Sequence, residues 1–297
     1  MSSLSATCYG KDNVRLFKVR RDSANPRLQY VTEFTVRVML EGAFDEAYTV
    51  ADNCNVVTTD TMKNTTYITA KQNPVNPPEL FATILGTHFV KKYDHISTAT
   101  IHIVEHKWTR YEIDGDAHPH AFVRDGEDIR TCDAIVAKDG SVKLSTGIEK
   151  LLVLKSTGSA FHGYIQDEYT TLPETWDRIM STEVEASWKW KEYSGVDEVK
   201  AKADEIEKGF QIARKTTLDT FATHESASVQ ATLFKTAQDI LSQTTDITEI
   251  SYALPNKHYF EIDLSWHNGL KNTGVDAEVY APQSNPNGLI TATIKRD

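Results

Sequence analysis

Residues 260–266 read Phe-Glu-Ile-Asp-Leu-Ser-Trp, so apolar side chains at Phe260, Ile262, Leu264 and Trp266 alternate with Glu261, Asp263 and Ser265. Successive side chains of an extended chain point to opposite faces, and this alternation therefore predicts a strand with one buried face and one wet face. Working outward, similar extended segments occupy 14–21, 30–40, 98–111, 151–155 and 279–294. Most are long and consecutive, which predicts antiparallel pairing.

Between the strands, Asn76-Pro77-Pro78-Glu79 carries a helix-start signature: a capping side chain, proline in the first turn and a Glu three residues on. Apolar residues recur at Phe81, Ile84, Leu85 and Phe89, with His88 on the same face, so a helix is predicted to run to about Tyr93. Ile206, Phe210, Ala213, Leu218 and Phe221 repeat with helical spacing, as do Val229, Leu233, Ala237, Ile240 and Leu241. The order strand, strand, helix, strand, strand recurs from about Asp133 with longer helical insertions. This predicts a duplicated α+β chain with its junction at Asp139-Gly140 and modules at 1–139 and 140–297. Helices gathered on one face leave the other face partly apolar through Val104, Trp108 and Trp266, and closure with sister subunits into a barrel is expected.

The 297 residues carry 32 basic and 42 acidic side chains, a formal charge of −10, and no basic cluster denser than Lys18-Val19-Arg20-Arg21. A nucleic-acid backbone binder needs a basic face, so that class is set aside. Apolar residues at 40% and charged residues at 25% suffice for a sizeable core and exclude disorder as the dominant state. No window approaches the roughly 18 apolar residues of a membrane-spanning helix. The N-terminal residues lack the apolar stretch of an export signal. Cys8, Cys54 and Cys132 lack C-x-x-C spacing and read as reduced thiols of an intracellular protein.

No G-x-G-x-x-G follows a strand, and no G-x-x-x-x-G-K-[ST], H-E-x-x-H or G-x-S-x-G occurs. His102 and His106 share a strand face but lie about 13 Å apart at strand spacing, too far for one ion, and His118-Pro119-His120 is placed at a turn after Asp114-Gly115. No metal site is expected. What remains are polar residues at element boundaries. Thr59-Asp60 precedes a short helical stretch, and Ser226–Ser228 precede the helix of Val229 and Gln230. Helix starts expose N–H groups that hold anions, although each cluster reads equally as a plain cap. Lys11 at a strand end, Arg178 beside Asp177, and Asn256 with His258 at a strand entry also have ordinary surface readings, which composition and spacing leave open.

Longer segments carry a resemblance: YGKDNV at 9–14, TDTMKNTTY at 59–67, LGTHFV at 85–90, DGDAHPHAFVRD at 114–125, VLKSTGSAFHGY at 153–164, DEYTTLPETWDRI at 167–179, SASVQATLF at 226–234, LPNKHYFEIDLSWH at 254–267 and APQSNPNGLI at 281–290. In order and spacing the chain resembles the urate oxidase (uricase) family, in its eukaryotic, fungal-like branch, over nearly its whole length. The resemblance implies two tandem tunnelling-fold (T-fold) modules and a homotetramer enclosing a tunnel, with active sites between subunits. It also implies oxidation of urate by O₂ and water to 5-hydroxyisourate and H₂O₂ without metal or organic cofactor.

Carried over residue by residue, Arg178 and Gln230 hold opposite edges of the purine, and Phe161 stacks on its face. The backbone N–H of Val229 and that of Asp60 from a neighbouring subunit complete the anion's contacts. Val229, Leu172 and Ile290 form apolar walls, and Asn256 lies above the ring near O₂ or water. Lys11, Thr59 of the adjacent subunit and His258 resemble the family's proton relay, in which the lysine acts as base only when neutral. The alternatives are a purine-binding homologue without turnover and a metal-dependent pterin enzyme of the same fold. Relatives in this branch commonly end in a peroxisomal Ser-Lys-Leu-like tripeptide, whereas this sequence stops at Lys295-Arg296-Asp297. The peroxisome is expected first and the cytosol second.

Overall fold

The computed structural model describes residues 3–296, the side chain of Ser284 excepted. In chain order the elements are β1 (Tyr9–Arg21), β2 (Gln29–Gly42), α1 (Asp45–Thr49), α2 (Thr59–Gln72), α3 (Pro78–Lys92), β3 (Ile96–Glu105), β4 (Thr109–Ile113), β5 (Asp116–Val123), β6 (Ile129–Ala137), β7 (Val142–Lys155), β8 (Met180–Trp190), α4 (Val196–Ala201), α5 (Ala203–Thr223), α6 (Val229–Gln243), β9 (Ile247–Glu261) and β10 (Tyr280–Lys295). Two long strands, a helical insertion and two long strands thus occur twice. The chain divides into two compact units: Met1–Ile148 with Ser187–Gln211 and Thr245–Thr248, and Glu149–Ala186 with Ile212–Thr244 and Glu249–Asp297. Among the described residues no helix is long and apolar enough to cross a membrane.

In the first unit the strand order is β1-β2-β3-β6, all antiparallel. Phe34, Val36, Val38 and Leu40 alternate inward from β2 with no residual exposure, and Ile101 and Ile103 of β3 join them. The buried face of α3, with Leu80, Phe81, Leu85 and Phe89, covers these strands. Each such side chain contributes about 1.5–3 kcal/mol on burial. The approach of α3 to β6 is close: a Cβ on Gly86 would lie 2.7 Å from Val136 Cγ2. In the second unit β9 and β10 pair antiparallel. The buried stripe of α6 runs through Val229, Leu233, Ala237, Ile240 and Leu241, and Thr217 of α5 bonds the buried Tyr252 hydroxyl at 2.8 Å.

Several local expectations are corrected. The alternation at 260–266 enters a strand only as far as Glu261. Asp263 accepts the Ser265 N–H at 2.9 Å, and Ser265 O takes the Gly269 N–H at 3.0 Å, so a turn replaces the ladder and leaves Trp266 exposed. Trp108 lies outside the strands, donating to Glu33 at 2.8 Å. The segment 98–111 breaks into β3 and β4, and His118-Pro119-His120 lies within β5. The turn is Asp114-Gly115 itself, both at positive φ as a tight hairpin requires. Asn76 does not cap α3. Pro77 occupies that position, and the Asn76 amide donates to Thr32 at 3.0 Å instead. The stretch after Thr58 is a full helix of 14 residues, and Thr59 and Asp60 are its first two residues rather than its lead-in.

Candidate active site

The predicted site residues fall into local groups, each fixed by short-range structure. In the first group, β1 breaks register with β2 between Lys11 and Val14, and Asn13 adopts a left-handed conformation. Gly10 is required just before it, because a Cβ there would lie 1.8 Å from Val38 O. The neighbouring Tyr9 hydroxyl accepts the Val57 N–H at 2.8 Å and donates to Val57 O at 3.0 Å, pinning the lead into α2 against the start of β1. Thr58 caps α2 by accepting from Thr61 N at 3.1 Å.

The N–H groups of Thr59 and Asp60 fall in the first turn, where helices leave them without intrahelical partners. The Asp60 carboxylate turns back along its own helix to Lys63 and to Asn64 at 2.8 Å. Lys63 chiefly holds its pKa below the usual carboxylate range, and the charge of Lys11 lowers it further. Lys11 and the start of α2 therefore lie together within one chain.

The second group is laced by main-chain bonds. Phe161 and Thr175 exchange bonds of 2.8 and 3.0 Å, and Arg178 N donates to Ser159 O at 2.8 Å. Ala160 N donates to Ser226 O at 2.7 Å, and Ser226 N to Gly158 O at 3.0 Å. Phe161, Arg178 and the start of α6 are thereby held in one place. The Arg178 guanidinium carbon sits 5.2 Å from the Phe161 ring centroid, and burial lowers its pKa while leaving it charged. Its Nε is buried with no hydrogen-bond partner, as is the neighbouring Ser159 Oγ. The surface ion pair considered for Arg178 is therefore not what positions it.

Phe161 stacks on Tyr164 at 4.9 Å, and the Tyr164 hydroxyl donates to Leu172 O at 2.6 Å, fixing the exposed Leu172. At the start of α6, Val229 is buried and Gln230 exposed, behind the cap formed by Ser228.

The third group lies on β9 and β10. Leu254 pairs with Ile290, Asn256 with Gly288 and His258 with Gln283, with a register shift between Gln283 and Gly288. Period two puts Asn256, His258 and Ile290 on one face. Lys257, on the other face, bonds Glu183 at 3.0 Å. His258 stacks on Phe260 at 5.7 Å.

The histidines weighed for a metal have protein partners: His102 bonds Asp133 at 2.8 Å, His106 bonds Thr35 at 2.8 Å, and the rings of His118 and His120 meet edge to face. A different donor set, Glu46, Asp52 and Cys54, gathers its atoms within 4.8 Å at an exposed surface. A hydrogen bond with Asp52 raises the Cys54 pKa, which disfavours the thiolate a metal needs. Sequence reading singled out Ser226–Ser228 but missed Tyr9, Ser159, His224 and Thr232, because each acts through a contact that no periodic pattern encodes.

A doubled set of long antiparallel strands with inserted helices, and polar groups at helix starts and strand bulges, defines the class: a tandem T-fold protein. The family model described as Uricase matches residues 7–135 and 144–291, the gap falling across the β6–β7 turn, and the chain belongs to the uricase family. A uricase of Emericella nidulans is 56% identical over 296 residues, covering 100% of this chain and 98% of the relative. One of Aspergillus flavus is 54% identical with the same coverage. The crystal structure of uricase from Arthrobacter globiformis superposes with a TM-score of 0.87 at 35% identity, covering 100% of this chain and 96% of that one.

Proposed function

We propose that the chain oxidises urate with O₂ and water to 5-hydroxyisourate and H₂O₂, a step of purine catabolism that its own side chains carry out. The observation that carries the reading is the Arg178 Nε, buried and unpartnered over Phe161 beside the start of α6. A half-buried guanidinium whose Nε is buried with an open donor calls for an acceptor-rich, flat anion.

Arg178 and the Gln230 carboxamide grip opposite edges of the purine, and Phe161 stacks on its face. Helix-start N–H groups at Val229 and Asp60 neutralise its charge. Leu172, Val229 and Ile290 wall the site. Triplet O₂ does not insert into a singlet ring, so the urate anion is first made a better electron donor by loss of a second proton. Neutral Lys11 takes that proton, Thr59 passes it on, and His258 orients the relay or its water. One electron passes to O₂, and recombination gives a ring peroxide. Loss of H₂O₂ and addition of water at the same carbon then give the product. Asn256 and Thr59 hold the oxygen species.

The working unit is a homotetramer with sites between subunits. Because Tyr9, two residues before Lys11, bonds Val57 just ahead of α2, the subunit that supplies Thr59 and Asp60 also supplies Lys11, and on the family resemblance its neighbour supplies the Arg178 group. The peroxisome is the favoured location, on the family resemblance. The test is to add urate and follow its ultraviolet absorbance with O₂ uptake and peroxide release, which should run one to one. Binding of urate without turnover would instead mark a purine-binding homologue.

A further inference from the structure

Behind the start of α6 runs a chain of hydroxyls that contact none of the groups assigned to the purine by side chain. Thr232 Oγ1 donates to Ser226 Oγ at 2.8 Å, and Ser226 Oγ donates to Ser228 O at 3.0 Å. His224 Nδ1 lies 3.0 Å from Thr232 Oγ1. The threonine's single hydroxyl proton has two acceptors, Ser226 Oγ at 2.8 Å and Ser228 O at 3.3 Å, and with that proton given to either of them the histidine nitrogen is the donor. The resulting order is directional: imidazole N–H to threonine, threonine to serine, serine to the Ser228 carbonyl. Ser226 and Thr232 are 2% and 4% exposed, so the relay runs in a dry environment. At its outer end the His224 carbonyl accepts the Lys155 ammonium at 2.7 Å.

The relay ends on one particular peptide. The Ser228 carbonyl belongs to the same amide as the Val229 N–H, and it also accepts Thr232 N–H at 3.2 Å. Donors on a carbonyl draw electron density from its nitrogen and strengthen the N–H on the far side. The main chain of Ser226 is meanwhile bonded to Gly158 and Ala160, next to Ser159, whose carbonyl holds the Arg178 N–H. One residue thus links the helix start to the segment that carries Phe161 and Arg178.

We propose that Ser226, Thr232 and His224 are positioning residues of the uricase reaction, aiming and polarising the Val229 N–H toward the bound anion. This rests on the reading that the start of α6 binds the purine. It assigns a role to three side chains that touch neither substrate nor the proton relay.

The test uses the full-length enzyme with steady-state kinetics in urate and inhibition by a non-reacting xanthine analogue. Thr232→Val keeps shape and removes the relay, and Ser226→Ala removes its last link. Either variant should raise KM and the inhibitor constant about fivefold or more with kcat changed less than about twofold, because the interaction acts on bound anion throughout the reaction. Thr232→Ser restores the hydroxyl and should return both constants to the parental range. A purely structural role would lower the yield of folded enzyme, which leaves KM and the inhibitor constant untouched. Gln230→Ala is the control for the underlying reading. If it raises KM while Thr232→Val and Ser226→Ala do not, the relay is overturned and the site stands. If Gln230→Ala leaves KM unchanged, the binding role of the α6 start is wrong and the relay falls with it.

Discussion

Lys11 sits at a break in strand register, on a glycine-dependent close approach to β2, beside a helix start tied down by Tyr9. None of these contacts neutralises its ammonium with an ion-pair partner of its own, because Asp60 is spent on Lys63 and Asn64, and Asp12 on Arg37 at 3.1 Å. Lys11 is therefore not tied into a structural ion pair by these carboxylates. Replacing it with methionine keeps the length and removes the base. Lys11→Met should lose about 10²-fold or more in kcat, as expected for removal of a positioned general base, with little change in inhibitor affinity. Unchanged turnover would eliminate Lys11 as the base. At this scale the sequence was only partly informative. The residue types at Arg178, Gln230 and Lys11 were readable through motif resemblance. That Arg178 Nε has no protein partner, and that Asp60 turns away from its own N–H, depends on three-dimensional neighbours that no single sequence discloses.

At the scale of elements, α3 shows where local signals succeed and where they fail. Its extent was readable from Pro78 and the apolar recurrence through Phe89. The role of Glu79 was not, because its partners are distant in the chain: Arg130 at 2.8 Å and Thr146 at 2.6 Å, with Glu79 fully buried. The strand β8 was equally legible in principle, since Val184, Ala186, Trp188 and Trp190 alternate with Glu185, Ser187 and Lys189, yet it falls outside the extended segments recognised from sequence.

The same cluster sets a pH dependence. Glu105 pairs with Arg130 across β3 and β6 and is half-buried by area. Burial, with Glu79 and Glu207, pushes its pKa up to about 7 against the pull of Arg130. An unfolded glutamate titrates near pH 4.3, so between these values the folded chain holds a proton that the unfolded chain has released. This contribution to stability is present at low pH and is lost as pH rises toward about 7, opposite in sign to that of carboxylates with depressed pKa such as Asp177. Glu105→Gln removes the titration. Its Tm relative to the parent should climb between about pH 5 and pH 8, and a constant difference across that range would refute the assignment.

At the scale of the whole molecule, the Tyr9–Val57 bonds hold the Lys11 segment and the start of α2 as one set, and main-chain bonds hold Arg178, Phe161 and the start of α6 as another. If the purine is gripped by one subunit and deprotonated by its neighbour, two different crippled chains should rescue each other. Lys11→Met disables the set a subunit lends to its neighbour, and Arg178→Ala disables the set it keeps. In a mixed pair related by two-fold symmetry, one site collects both lesions and the other collects neither. Co-expression of the two chains should therefore restore up to about a quarter of parental activity after random assortment, from two parents that are each nearly inactive. The recovered activity should show the parental KM, because the rescued sites are chemically intact. Were Lys11 and Arg178 supplied to a site by the same subunit, every site in the mixture would carry one lesion or the other. No activity would then appear beyond the sum of the two variants, and that result would place the base and the anion clamp in one chain.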